Sequence, residues 1–330
     1  MTRWLVWLLL LSGLAWAENQ GTAVADFNDD GLNDIVLIQG KNLLFFGGTG
    51  GGYRAPQKWG EGHSFGPKAR AEVVDWGADG RPDLLVLGPE TTLWRNGSEL
   101  CWTAPSGWSA AAVGPFGLAG LHQRTLEFYS LTGDSPVLQR SLELPEEGWS
   151  LCQQDFDGDR RPDLVIGAVG CQDVLLVTSR DDYARTRRRP MGAPVGRVVA
   201  GDFDRDGKPD LISVLEPEVR ARPHRGKEVV YPVEAVSAYD AVRGDFNGDG
   251  IWDVAVLERF GLRIFPGLRK WLLGTAEYPK DFEKPDAVSG GDLDRDGKLD
   301  LVLSYEYQDF LTLLYNRGKP GLRSVRLQFP

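Results

Sequence analysis

Short runs in which nearly every position is apolar recur along the chain: DIVLIQG from Asp34, DLLVLG from Asp83, DLVIGA from Asp163, DLISVL from Asp210, DVAVLE from Asp253 and DLVLSY from Asp300. Their length and their wealth of β-branched and aliphatic residues predict buried strands. A turn and a second apolar run follow, as in NLLFFGGTGGGY, DVLLVTS and FLTLLYN, and then a further extended segment. No stretch carries a competing helical period. The pattern predicts about four short strands per repeat.

Each apolar run is entered through a segment with acids at alternate positions, a glycine, and a closing aspartate. Six copies are plain: DFNDDGLND from Asp26, DWGADGRPD from Asp75, DFDGDRRPD from Asp155, DFDRDGKPD from Asp202, DFNGDGIWD from Asp245 and DLDRDGKLD from Asp292. Successive starts lie 49, 80, 47, 43 and 47 residues apart, so the long gap predicts a hidden copy. The stretch VGPFGLAGLHQRTLEFYSL lies in that gap, and with Pro115 in place of the first aspartate it divides the gap into 40 and 40. Seven four-stranded repeats of this length are the arithmetic of a β-propeller. The predicted fold is therefore all-β, a seven-bladed propeller of antiparallel blades with a degenerate third blade. The final segment LRSVRLQFP leaves the last blade an outer strand of its own.

The first seventeen residues carry one cation, Arg3, an apolar run from Trp4 to about Leu14 and the small-residue pattern Ala15-Trp16-Ala17. They read as a signal peptide cleaved after Ala17, which leaves residues 18–330 as one propeller and predicts a secreted or periplasmic protein. No later run reaches the roughly 18 apolar residues of a membrane span. The formal charge of −10 argues against a nucleic-acid partner and calls for bound cations. With only three cysteines, Cys101, Cys152 and Cys171, at most one intramolecular disulfide can form.

The acidic segments have the chemistry of calcium loops. Positions one, three, five and nine turn their side chains toward one point, the carbonyl of position seven adds an oxygen, and glycine at position six permits the turn. Loop one offers Asp26, Asn28, Asp30, Asp34 and the Leu32 carbonyl; loop five offers Asp202, Asp204, Asp206, Asp210 and the Lys208 carbonyl. Loop six offers Asp245, Asn247, Asp249, Asp253 and the Ile251 carbonyl; loop seven offers Asp292, Asp294, Asp296, Asp300 and the Lys298 carbonyl. Loop four has Asp155, Asp157, Asp159, Asp163 and the Arg161 carbonyl, but Arg160 replaces the glycine, which predicts weaker binding. Loop two lacks the third ligand at Gly77, and the third blade has no carboxylates in register. About five Ca²⁺ ions are expected, nearly cancelling the charge of the mature chain. An EF-hand would need a glutamate at position twelve, where Leu37, Ile166, Ser213, Val256 and Leu303 stand, and a helix where these loops are followed by strands.

These segments resemble the FG-GAP repeats of integrin α-chain propellers and their bacterial secreted relatives. The resemblance covers nearly all of residues 18–330. It implies a seven-bladed ring with calcium loops joining the first two strands of a blade, and it implies that the aspartates named above are metal ligands. Ligand-contact residues do not carry over.

Two basic stretches, Arg185, Arg187, Arg188 and Arg189, then Arg220, Arg222, His224, Arg225 and Lys227, fall in adjacent blades. One reading is a strip for an anionic glycan or an acidic protein surface; the other is protection of exposed edge strands. Trp94, Trp102 and Trp108 fit sugar stacking or, more simply, the filling of seams between blades. Asn96-Gly97-Ser98 is both a glycosylation sequon and a hairpin turn. His63, His122 and His224 are scattered, and no GxSxG, HExxH or phosphate loop is present. The expected function is a monomeric, non-catalytic module that binds a protein or glycan. The alternative is a polysaccharide lyase or other carbohydrate-active enzyme on a calcium propeller.

Overall fold

The computed structural model describes residues 19–329 except 61–62, 64, 67–68, 78, 131–134, 169, 216, 233–239, 259–260, 270–272, 275–284, 306–307 and 319–321. The leader predicted over residues 1–17 lies outside the described residues.

Seven antiparallel sheets follow one another in chain order, and the strands within each are neighbours in sequence order, the simplest blade topology. The second strands are Asp34–Gln39, Asp83–Leu87, Gly117–His122, Asp163–Ala168, Asp210–Leu215, Asp253–Glu258 and Asp300–Ser304. Six blades have four strands; blade six shows three among the described residues. Blade one adds a small hairpin, Gly48–Thr49 with Gly52–Tyr53. The last blade takes its outer strand from Leu322–Gln328, paired with Phe310–Asn316, so it is closed by its own chain segment.

The apolar runs are continuous because each second strand is buried on both faces. Ile35 and Leu37 pack toward blade seven while Val36 and Ile38 pack toward blade two. In blade two Leu84 and Val86 face blade one, and Leu85 and Leu87 face blade three. The alternation continues through blade four, where Leu164 and Ile166 face back and Val165 faces forward. It also holds in blade six, with Val254 and Val256 on one side and Ala255 and Leu257 on the other. Seven apolar clusters result, one for each seam of the ring, in place of a single central core. The three tryptophans take part: Trp94 lies in the seam between blades one and two, and Trp108 with Trp102 and Tyr129 in the next.

Blade three shows what happens without an acidic loop. Its first two strands, Ala110–Gly114 and Gly117–His122, pair Gly114 opposite Gly117 across a two-residue turn of Pro115 and Phe116. The hidden repeat is thus present as a blade, with its loop reduced to a hairpin.

The first strands stand innermost, and among the described residues they pack against the first strand of the next blade in six of the seven seams. Their side chains cross the axis. Arg70 of blade two approaches Asp240, beside the first strand of blade six, at 3.7 Å. Arg243 donates to Gln154 of blade four at 3.2 Å and to the Ala200 carbonyl, and lies 4.1 Å over the Trp252 ring. Burial pushes the Cys152 thiol up to about 12. All three cysteines are free thiols.

Because the seams carry the packing, Ile212→Ala, which empties a fully buried position between blades five and six, is expected to cost about 2–5 kcal/mol. Val137→Ala on the exposed rim is expected to change stability by less than about 0.5 kcal/mol. Urea unfolding of both variants checks the contrast.

Candidate metal centres

In every loop the first aspartate folds the chain around itself. Asp26 accepts the amides of Asp30 at 3.1 Å and Gly31 at 2.8 Å, and Asp202 accepts those of Asp206 and Gly207 at 3.1 and 3.0 Å. Loops two, six and seven repeat the pair with Asp75, Asp245 and Asp292. To present both amides the chain turns left-handed at position six, where Gly31, Gly207 and Gly297 have φ of 83°, 78° and 83°. Arg160 adopts the same conformation at φ 68° and still donates to Asp155 at 2.8 Å. A side chain in that region costs roughly 1–2 kcal/mol.

The ninth aspartate has a second task that the sequence pattern does not announce. It is the first residue of the second strand and is almost wholly buried in all six loops. One oxygen accepts the amide of position two: Phe27, Trp76, Phe156, Phe203, Phe246 or Leu293. The other accepts an amide at the end of the third strand or just beyond it, from Gly48, Asn96, Ser179, His224, Gly267 or Asn316. All twelve bonds are 2.7–3.0 Å long. This carboxylate pins the start of the loop to the exit of the third strand. Asn96 also turns the next hairpin, with left-handed φ at both Asn96 and Gly97, 48° and 71°, so Asn-Gly serves as a turn.

Burial raises the pKa of these six groups despite their amide partners. Asp210 is pushed to about 7, and Asp253 and Asp300 to about 6. Asp34, Asp83 and Asp163 move in the same direction for the same reason.

Three loops bring three carboxylates together with ligand atoms all within 4.8 Å: Asp155, Asp157 and Asp163; Asp202, Asp204 and Asp206; and Asp292, Asp294 and Asp300. The sequence pattern predicts four converging on one point, and here the structure differs. Asp159 accepts the Ser179 hydroxyl at 2.7 Å, which holds its carboxyl below the usual range. Asp296 takes Lys298 Nζ at 2.6 Å, with the same effect. In loop five it is Asp210 that stands outside the group, held in its two amide bonds. Like charges in one small volume repel, so the fourth carboxylate goes to the nearest donor.

Loops one and six carry Asn28 and Asn247 at position three, whose side-chain carbonyls accept the amides of Asp30 and Asp249 at 2.9 Å. No group of three ligating carboxylates forms there among the described residues. Position seven places its amide on the fifth carboxylate in each predicted site: Leu32, Arg161, Lys208, Ile251 and Lys298 donate at 2.7–3.0 Å. In loop two Gly77 leaves Asp75, Asp79 and Asp83 with the same turn hydrogen bonds.

The donor set is all oxygen, which suits a hard divalent cation. Asp157 Oδ2 is buried without a hydrogen bond, and its one charge partner, Arg180 Nε, stands 3.5 Å away, so it has room for a cation. The residues present therefore fit Ca²⁺.

The basic stretches are adjacent, as their sequence positions suggest, since Arg189 donates to the Pro223 carbonyl at 3.5 Å. Four of their eight arginines and lysines pair with carboxylates. Arg185 and Arg187 each reach Asp181 at 2.6 Å, Arg188 meets Glu146 and Asp173, and Arg220 meets Glu218 and Glu228. Arg187, Arg188 and Arg189 lie on the outer strand of blade four, Thr186–Pro190, in keeping with edge protection.

Residues 26–86 and 155–213 match the model of the FG-GAP-like repeat. Together with the seven-bladed ring, this identifies FG-GAP-like repeats in two regions of a propeller. Among curated proteins none matches the sequence. Of solved structures, BBS1N in complex with ARL6DN, from a crystal soaked with lead, is similar at 13% identity, covering 94% of this chain and 93% of that one, with a TM-score of 0.60. A lectin of Agrocybe aegerita that recognises non-reducing terminal N-acetylglucosamine aligns at 17% identity, covering 94% and 80%, with a TM-score of 0.43. The first likeness shows the propeller fold.

Two predictions follow from the ninth aspartate. Asp83→Ala leaves two amides without their acceptor and is expected to cost about 2–4 kcal/mol, equally with and without Ca²⁺, in urea titrations. Protonation in the fold at Asp210, Asp253 and Asp300 contributes stability that is present below about pH 4 and lost as pH rises through 6 to 7. A cation needs the ionised form, so Ca²⁺ affinity is expected to fall as pH drops from 8 to 5.5, as calorimetric titration across that range would report.

Proposed function

We propose that the protein is an exported, calcium-loaded β-propeller that acts as a non-catalytic scaffold binding a protein or a glycan. The observation that carries the reading is the convergence of three carboxylates in each of loops four, five and seven. The Asp157 oxygen that is buried without a hydrogen bond and the net charge of −10 support it. Bound calcium supplies positive charge and six to eight oxygen bonds that tie loop to strand. The chain's own residues do the rest: position one shapes the loop, position three adds a carboxylate or amide oxygen, and position nine fastens the loop to the third strand. Loops one and six, with asparagine at position three, complete a set of about five sites.

A scaffold role is favoured over a lyase role by the state of the axis. A lyase would use basic groups there, and Arg70 and Arg243 are indeed axial, but they are engaged with Asp240, Gln154 and the Ala200 carbonyl. An open cleft of about 520 Å³ beside loops six and seven, lined by Arg243, Trp252, Lys298 and Leu299, is a place for a partner group to dock. Export rests on the leader read in residues 1–17.

Thermal unfolding of the mature protein tests the proposal. Excess Ca²⁺ is expected to raise the midpoint by on the order of 10 °C over EGTA, with Mg²⁺ much less effective, and elemental analysis should find four to six calcium ions per chain. An unchanged midpoint with no bound metal would reduce the aspartates to turn formers.

A further inference from the structure

The ninth aspartate gives every loop a common reference point, the residue at the exit of the third strand whose amide it accepts. The residue after that one is Arg180 in blade four, Arg225 in blade five and Arg317 in blade seven, but Thr49, Gly97 and Leu268 in blades one, two and six. Position three of the loop follows the same division. It is Asp157, Asp204 and Asp294 where the arginine is present, and Asn28, Gly77 and Asn247 where it is absent. Blades with a third-position carboxylate are those with an arginine opposite.

Contacts make the pairing physical in two of the three. Arg180 Nε stands 3.5 Å from Asp157 Oδ2, the oxygen without a hydrogen bond, and its Nη2 donates to the Asp157 carbonyl at 3.2 Å. Arg317 Nη1 stands 2.6 Å from Asp294 Oδ2. Arg225 is exposed at the matching place in blade five. Among predicted side-chain ligands, loops one and six carry three negative charges, while loops four, five and seven carry four. One arginine brings the latter to the same net value.

We propose that Arg180 and Arg317 are resident counter-cations of the third-position aspartates and set the calcium affinity of loops four and seven. Without the ion each guanidinium balances a carboxylate that would otherwise face two or three like charges. With the ion bound, the same fixed charge repels it and weakens the complex, so four-carboxylate loops hold calcium no more tightly than three-carboxylate ones. They are positioning residues, acting on the metal through the aspartate. The inference rests on the calcium reading of the loops.

Calcium titration of the mature protein against a chelating indicator, with thermal unfolding in EGTA alongside, tests it on Arg180→Gln, Arg317→Gln and their double variant. The expected result is an unchanged number of sites, one of them tightened roughly three- to tenfold in each single variant and two in the double, as loss of a unit charge a few ångströms away implies at an exposed site. The metal-free midpoint should fall at the same time. Arg180→Lys and Arg317→Lys should restore affinity to near the parent value. A merely structural arginine would lose stability and affinity together, so weakened or unchanged affinity in the glutamine variants overturns the proposal while leaving calcium binding intact. A parent protein that binds no calcium overturns both.

Discussion

The structure depends most on a buried carboxylate that bonds two amides distant in sequence. In each acidic loop the ninth aspartate holds position two with one oxygen and the exit of the third strand with the other, for example Phe203 and His224 on Asp210. Burying an ionised carboxylate is costly, and two amide bonds recover only part of the loss. That deficit appears as the raised pKa of Asp300, one of the converging carboxylates of loop seven, and a divalent cation there would offset it. Folding and the proposed metal binding therefore draw on the same group. Because Asp83 makes the same two bonds in a loop that lacks its third ligand, the architectural role stands without the metal one.

Around these fasteners the ring is assembled from seams. Every second strand contributes apolar residues in both directions, so a blade is stable only between neighbours, and closure of blade seven on blade one through Ile35, Leu37, Val302 and Leu311 completes the burial. The loops add a second ring on one face. Arg205 of loop five reaches the Gly250 carbonyl of loop six, and Arg81 of loop two meets Asp29 of loop one at 3.1 Å. The axial strands form a third layer, crossed by Arg70 and Asp240.

Much of this was legible in the sequence because it repeats. Continuous apolar runs such as Ile35–Ile38 can arise only where both faces of a strand are covered, and the spacing of the acidic segments counted the blades, including the one at Pro115. The fate of individual carboxylates was not legible. Alternate spacing predicts that Asp159 and Asp296 converge with their neighbours, yet Ser179 and Lys298 claim them. Ser179 lies twenty residues from Asp159, and its meeting with the loop is fixed by the third strand's exit, which no local pattern encodes. The same holds for Arg180 and Arg317, which read as scattered surface cations until the fold aligns them. The basic strip was visible as charge, whereas the pairing of half of it with Asp181, Glu146, Glu228 and their neighbours depends on tertiary structure.

The central claim is that these loops are metal cages fastened by their ninth aspartate, and locating the ions is its most direct test. Crystals of the mature protein grown with calcium, with anomalous scattering collected at long wavelength, should show peaks within the carboxylates of loops one, four, five, six and seven and none at the Pro115 turn. Peaks absent from loops four, five and seven, where three carboxylates already converge, would contradict the account.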